Sequence, residues 1–118
     1  MTTIVHLVAA PDWHELAAGQ PLRPASLDTE GFIHCTSGDA LMLRVANSFY
    51  RALSGTVLAL SIDPSLVTAE IKWEHPPGAD PHAAEAFPHI YGELNTDAVV
   101  AVRRFTRGED GSFIAITD

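Results

Sequence analysis

Three imidazoles in this sequence sit inside runs that otherwise read as strands: His6 in IVHLV, His34 in GFIHC and His89 in PHIYG. Histidine is the side chain whose charge changes near neutral pH. Imidazoles gathered from separate strands are therefore candidates for general acid–base work or for holding a ligand's hydroxyl groups. Alternation places Phe32 and His34 on one face of their strand and Ile33 and Cys35 on the other, and sets His6 opposite Val5 and Leu7. In a strand, His89, Tyr91 and Glu93 would also share a face, and such a ring of polar groups could line a cleft. Glu74, directly after Trp73 at the end of a predicted strand, adds a carboxylate able to orient a histidine or act as a base. Read blandly, it only caps the strand in solvent. A single histidine in a strand is more often a satisfied core residue than a catalytic one; two or more in such runs shift the reading toward a site.

Spacing argues against a metal. His6, His34 and His89 come from distant segments, none forms a His-x-His or His-x-x-x-His pair, and no Asp or Glu falls at a recognised ligand interval, so no metal is expected. Cys35 is the one cysteine, which excludes an internal disulfide and a multi-cysteine metal site. Beside His34 it suggests a thiol with its base, yet neighbours on a strand point to opposite faces, so Cys35 reads as a small core residue. Phosphate-cradling GxGxxG and GxxxxGK motifs and the nucleophile motif GxSxG are missing from the sequence.

The elements that must position these groups fit one domain spanning 1–118, since 118 residues suffice for one hydrophobic core and not for two. Hydrophobic residues make up 47% and charged residues 19%, a balance that suits a folded soluble domain. Fifteen acidic against seven basic side chains leave a net charge of -8, which opposes nonspecific nucleic-acid binding and anionic membranes. Arg103, Arg104 and Arg107 form a basic group that could receive a phosphate, although such a cluster is more often a solvated face. The opening MTTIVHLVAA lacks the pattern of a signal peptide, and no run approaches the roughly 18 apolar residues of a membrane span, so a cytoplasmic location is expected.

Strands are predicted at Thr3 to Ala9, over GFIHC, at Thr56 to Ile62, at Ala69 to Glu74, and in the late segments HIYGEL, DAVVAVRRFT and GSFIAIT. Helices are predicted from Pro11 to Gly19 and, after the cap-like Thr36-Ser37-Gly38-Asp39, over the run ending at Gly55, where Leu41, Val45, Phe49 and Ala52 recur at helical spacing. The residues between the first helix and GFIHC read as loop. The proline-rich stretch from His75 to Pro88 predicts a long irregular loop. This order of elements is α+β with an antiparallel sheet.

Together IVHLV, PASLDTEGFIHCT, the Ala-Asn-Ser-Phe-Tyr helix, LSID, Trp73-Glu74 and Phe87-Pro88-His89-Ile90-Tyr91-Gly92 resemble the domain-of-unknown-function family 952, from about residue 4 to 105. More remotely, the family resembles the ADP-ribosyltransferase fold, in the two-histidine branch that includes the RNA 2'-phosphotransferases. That resemblance implies split antiparallel sheets with two helices in the N-terminal half, and a cleft for NAD. It implies that His6 holds a ribose, that His34 stands on the second strand beside the nicotinamide, and that Glu74 or Glu93 stabilises the reacting sugar. Ser26, Thr36, His89, Tyr91 and Arg44 are the accompanying candidates for ligand contact, with Arg44, Arg51 or the Arg103-Arg104 pair available to phosphates. Leu7 stands where many NAD-dependent transferases have glycine. Beside the transferase or glycohydrolase reading stand a non-catalytic module binding a nucleotide or small metabolite, and an interaction domain whose histidines only bond within the core.

Overall fold

The apolar alternation of the sequence resolves into two antiparallel sheets. The computed structural model describes residues 2–75 and 85–118, so most of the predicted loop from His75 to Pro88 lies outside the described residues. In chain order the elements are β1 (Ile4–Ala9), α1 (Ala10–His14), α2 (Ser26–Thr29), β2 (Ile33–His34), α3 (Asp39–Phe49), β3 (Val57–Ile62), β4 (Glu70–Glu74), β5 (Phe87–Tyr91), β6 (Val99–Arg107) and β7 (Phe113–Thr117). Among the described residues no helix is long and apolar enough to cross a membrane.

The larger sheet runs β1-β3-β6-β7 and the smaller β2-β5-β4. The run VLALSI makes β3 one of the two inner strands, buried along its whole length, as a strand covered on both faces must be. Ile4, Val8, Leu58, Leu60 and Ile62 turn toward the smaller sheet and pack with its Ile33 and Ile90. On the opposite face Val5, Leu7, Val57, Ala59, Phe105 and Phe113 pack under Met42 and Ala46 of α3. This is the α+β antiparallel architecture expected from the order of elements.

Several elements depart from expectation for local reasons. The first helix stops at His14: Leu16 N–H turns back to the Trp13 carbonyl at 3.3 Å, and the Gln20 side chain takes Ala17 N–H at 2.9 Å. The helix α2 stands where a loop was expected, a single turn in which Glu30 N–H and Gly31 N–H both reach the Ser26 carbonyl, at 2.8 and 3.0 Å. Gly31, at φ 89°, supplies the left-handed residue that ends such a turn. The long helix ends at Phe49 rather than Gly55. The Arg107 guanidinium takes up the carbonyls freed beyond it, those of Arg51 (3.0 Å) and Leu53.

Phe49 was expected inside and is 78% exposed, because Met42 and Ala46 form the face laid on the sheet. The strand β5 also starts earlier than expected, with Phe87 and Pro88 inside it. Pro88 has no N–H to give, but its carbonyl still accepts from Cys35 N–H at 3.1 Å.

Side chains lock α3 in place. Arg103 makes paired bonds to Asp39 at 2.7 and 2.9 Å and a third to Ser61 at 3.0 Å, and its guanidinium holds the Asp39 carboxyl below the ordinary carboxylate value. Asn47 gives its amide to the Phe113 carbonyl at 2.9 Å and takes Phe113 N–H at 2.8 Å, joining helix to edge strand through both peptide groups of one residue. Asn47→Ala strips both partners from that backbone, and unmet groups of this kind cost about 1–3 kcal/mol. Urea unfolding is expected to show a loss in that range, and a change under about 0.5 kcal/mol, the size typical of neutral surface substitutions, would mean that the bridge is dispensable.

Candidate functional site

The segment from Ile33 to Thr36 belongs to both sheets. Ile33 and His34 pair with Ile90 and His89, whereas Thr36 exchanges both backbone bonds with Val5, each at 2.8 Å. This crossover brings the His34 carbonyl to 2.7 Å from His6 Nδ1. A carbonyl only accepts, so Nδ1 carries the proton and the neutral ring presents Nε2 as a bare acceptor. No described residue bonds to Nε2. Burial pushes His6 below its ordinary value, against the raising effect of the His34 carbonyl, and the neighbouring His34 lowers it further. His6 is therefore neutral near pH 7.

Beside His6 opens a cavity of about 550 Å³. One wall is the outward face of the smaller sheet, with Phe32, His34, Phe87 and His89; another is α3 and its end, with Met42, Val45, Phe49 and Tyr50; β1 supplies His6 and Leu7. Phe32 stacks on His89 with centroids 4.1 Å apart and meets His34 edge-on at 4.8 Å. The faces expected for Phe32 with His34 and for His89 with Tyr91 meet here, the Phe32 and Tyr91 rings lying 5.3 Å apart, but Tyr91 itself does not line the cavity.

Each imidazole is aimed by an acceptor. His34 Nε2 lies 2.8 Å from Glu30 Oε2, and His89 Nδ1 lies 2.9 Å from Glu74 Oε1. The Tyr91 hydroxyl donates to the same Glu74 oxygen. Together these bonds, Tyr91 first and His89 second, hold the Glu74 carboxyl below its ordinary value, while the carboxylate raises the Tyr91 phenol.

The remaining candidates divide. Thr36 lines the cavity, 3% exposed, and its Oγ1 has no partner among the described residues. Glu74 does not line the cavity; it stands behind His89 and aims it. Glu93 lies beyond the end of β5 and faces Arg23 at 3.7 Å. The strand stops short of it at Gly92, where a Cβ would sit 2.9 Å from that of Ala69. Arg44 is on the outer side of α3, 3.8 Å from Glu85.

Ser26 lines an adjoining groove of about 820 Å³ that shares His6, Leu7, Glu30, His34 and Tyr50 with the cavity. Of the arginines considered for phosphates, Arg51 pairs with Asp110 at 3.3 Å, Arg103 is taken by Asp39, and Arg104 is exposed. Cys35 is 2% exposed and burial pushes its thiol far up, so it behaves as the core residue its strand position suggests. Among the described residues no group of three or more His, Cys, Asp or Glu is placed to hold a metal ion.

Sequence reasoning missed Glu30, Phe49 and Tyr50. The one available signal for Glu30 was its place four residues before His34; recognising it needed the single-turn helix α2.

The family model described as "Protein of unknown function (DUF952)" matches residues 7–102. The chain belongs to the DUF952 family. No curated protein matches it. Two solved structures are similar in fold to this DUF952 chain: Protein CC0527 from Caulobacter crescentus, and a double mutant of that protein. Each has a TM-score of 0.78 and 22% identity, covering 96% of this chain and 94% of the other.

The geometry of this DUF952 site fixes the sign of its pH dependence. The folded protein holds His6 neutral below the value it has when unfolded, so stability is full above about pH 6.5 and is lost as pH falls toward the lowered folded value. Unfolding in urea across pH 7.5 to 5 should show this loss, and His6→Gln, which takes up no proton, should reduce it. Imidazole 15N spectra should show His6 protonated at Nδ1 at pH 7; a protonated Nε2 would overturn the assignment.

Proposed function

We propose that the cavity takes the nicotinamide–ribose part of NAD, or a nucleoside of like shape, and that the chain is a transferase or glycohydrolase of the ADP-ribosyltransferase kind. The observation that carries this reading is the buried, neutral His6, with Nε2 open beside an aromatic-walled cavity at the joint of two sheets. Such a nitrogen accepts a ribose hydroxyl, or a proton from an attacking nucleophile, without first losing one of its own.

The walls fit the nicotinamide end better than the diphosphate end. The oxidised nicotinamide ring is a cation, which aromatic faces such as Phe32, Phe49 and Tyr50 attract. No described Lys or Arg lines the cavity. When bound, NAD would supply an ADP-ribosyl group, with nicotinamide as the leaving group. Cleavage of that bond develops positive charge at the sugar, which a fixed carboxylate stabilises. Glu30 is the acid that lines the cavity, and it takes the part expected of Glu74 or Glu93. His34, held by Glu30, and His89, held by Glu74, then stand as rigid hydrogen-bonding walls.

A second reading, a binding module without chemistry, is favoured by one observation: Glu74 and Glu93 both lie away from the cavity, and Glu30 is already engaged by His34.

Ligand-detected NMR with NAD, ADP-ribose and nicotinamide, on the wild type and on folded His6→Ala and His34→Ala variants, tests the proposal. NAD should bind saturably and more tightly than ADP-ribose, and either variant should lose about tenfold or more in affinity, some 1.4 kcal/mol. No NAD binding to the folded wild type would overturn the nucleotide reading. Binding without release of nicotinamide over hours would leave the module.

A further inference from the structure

We propose that His89 is the base of the site: held by Glu74, which Tyr91 in turn holds, it takes the proton of the nucleophile that attacks the sugar. The inference rests on the nucleotide reading of the cavity. It adds the residue that removes a proton and two residues that position it from outside.

Glu74 Oε1 only accepts, so its 2.9 Å contact puts a proton on His89 Nδ1, and the neutral ring keeps Nε2 as an acceptor. No described residue bonds to that nitrogen. His89 lines the cavity and Glu74 does not. The ring is thus gripped at its outer edge, and the opposite edge, which carries Nε2, is the one left to the hollow.

Several contacts restrict this ring. Phe32 stacks on its face, with centroids 4.1 Å apart and 20° between the planes, and Glu74 fixes its rotation. Strand register sets His89 and Tyr91 on the same face as Lys72 and Glu74. There the Tyr91 hydroxyl donates to the oxygen that His89 uses, and the Lys72 ammonium lies 4.6 Å from the centre of the Tyr91 ring. Tyr91 therefore acts on His89 through Glu74, without reaching the cavity.

The other two imidazoles lack this combination. The His34 side chain is 43% exposed and its partner Glu30 50%, against 12% for His89, so water competes for the bond that holds His34. His6 has a neutral carbonyl behind it, and burial opposes its gaining a charge. It suits a ribose hydroxyl, which is bonded without proton transfer.

His89 Nε2 accepts the O–H of water or of an acceptor's hydroxyl. It receives the proton as the nucleophile's oxygen bonds to the sugar C1' and the bond from C1' to nicotinamide breaks, the electron pair of that bond passing to the nicotinamide nitrogen. Nδ1–H stays on Glu74 throughout, so the ring keeps its orientation. The imidazolium then returns its proton to solvent.

Nicotinamide release from NAD is measured in the wild type and in folded His89→Phe, Glu74→Gln and Tyr91→Phe variants, the first of which keeps a ring against Phe32 but has no nitrogen. His89→Phe should lower kcat about a hundredfold or more. Glu74→Gln and Tyr91→Phe should lower it about tenfold, with KM within about twofold of the wild type in all three. In imidazole 15N spectra at about pH 8, above the ordinary imidazole value, wild-type His89 should carry its proton on Nδ1. Glu74→Gln, whose amide offers a donor as well as an acceptor, should mix the two tautomers.

A wild-type His89 protonated at Nε2, an unchanged kcat in His89→Phe, or a loss confined to KM would each overturn the proposal and leave the nucleotide reading standing. NAD that binds without releasing nicotinamide also overturns it, and leaves the binding module. Failure of NAD to bind overturns both, so NAD binding tells the two failures apart.

Discussion

Residues Ile33 to Thr36 serve two sheets at once, and the rest of the site depends on that sharing. Four consecutive residues cannot continue along one ladder and also reach another unless the chain crosses between the sheets. Here the crossing is held by backbone bonds: Cys35 N–H goes to Pro88, and Thr36 exchanges two bonds with Val5. A buried segment of irregular backbone is tolerated only when its polar groups are met in this way. The same crossing leaves the His34 carbonyl with one free direction, and His6 fills it. The contact between the two histidines thus follows from sheet topology, since neither side chain had to seek the other.

The three imidazoles are oriented by different partners, and the difference sets their chemistry. A carbonyl carries no formal charge, so it fixes the tautomer of His6 while desolvation still prevails and keeps the ring neutral. Glu30 and Glu74 are carboxylates, which only accept, so each takes an N–H from the histidine it holds. Placing one ring with a bare acceptor nitrogen and two carboxylate-held rings around a single hollow gives its walls acceptors and donors of different origin.

Much of this was legible in the sequence because it rests on period two. Strand alternation correctly separated Phe32 and His34 from Ile33 and Cys35, and the antiparallel α+β order followed from the run of strands. What escaped depends on tertiary contacts or on single turns. Phe49 has helical spacing from Leu41 and Val45, but the face that packs is chosen by Phe105 and Phe113 across the sheet, which prefer Met42 and Ala46. Glu93 satisfies the alternation with His89 and Tyr91, yet the strand ends at Tyr91 and the chain turns off to bridge Leu94 with Leu22. The helix α2 has too few residues for any periodicity, so Glu30 stayed hidden among loop residues.

The arginines show how placement overrides composition. Arg103 and Arg107 looked like a cluster free to meet phosphate, but each is spent on the architecture: Arg103 ties Asp39 and Ser61 to β6, and Arg107 collects the carbonyls of Arg51, Leu53 and Gly111 while stacking over Phe113 at 4.2 Å. Guanidinium groups suit such work because a planar fork meets several oxygens at once. The consequence is felt at the cleft. With those cations consumed elsewhere, the described walls of the cavity and groove are left with imidazoles, carboxylates, aromatic rings and one arginine already held by two acids. Such walls present acceptors and aromatic faces, and no unpaired guanidinium or ammonium group among the described residues.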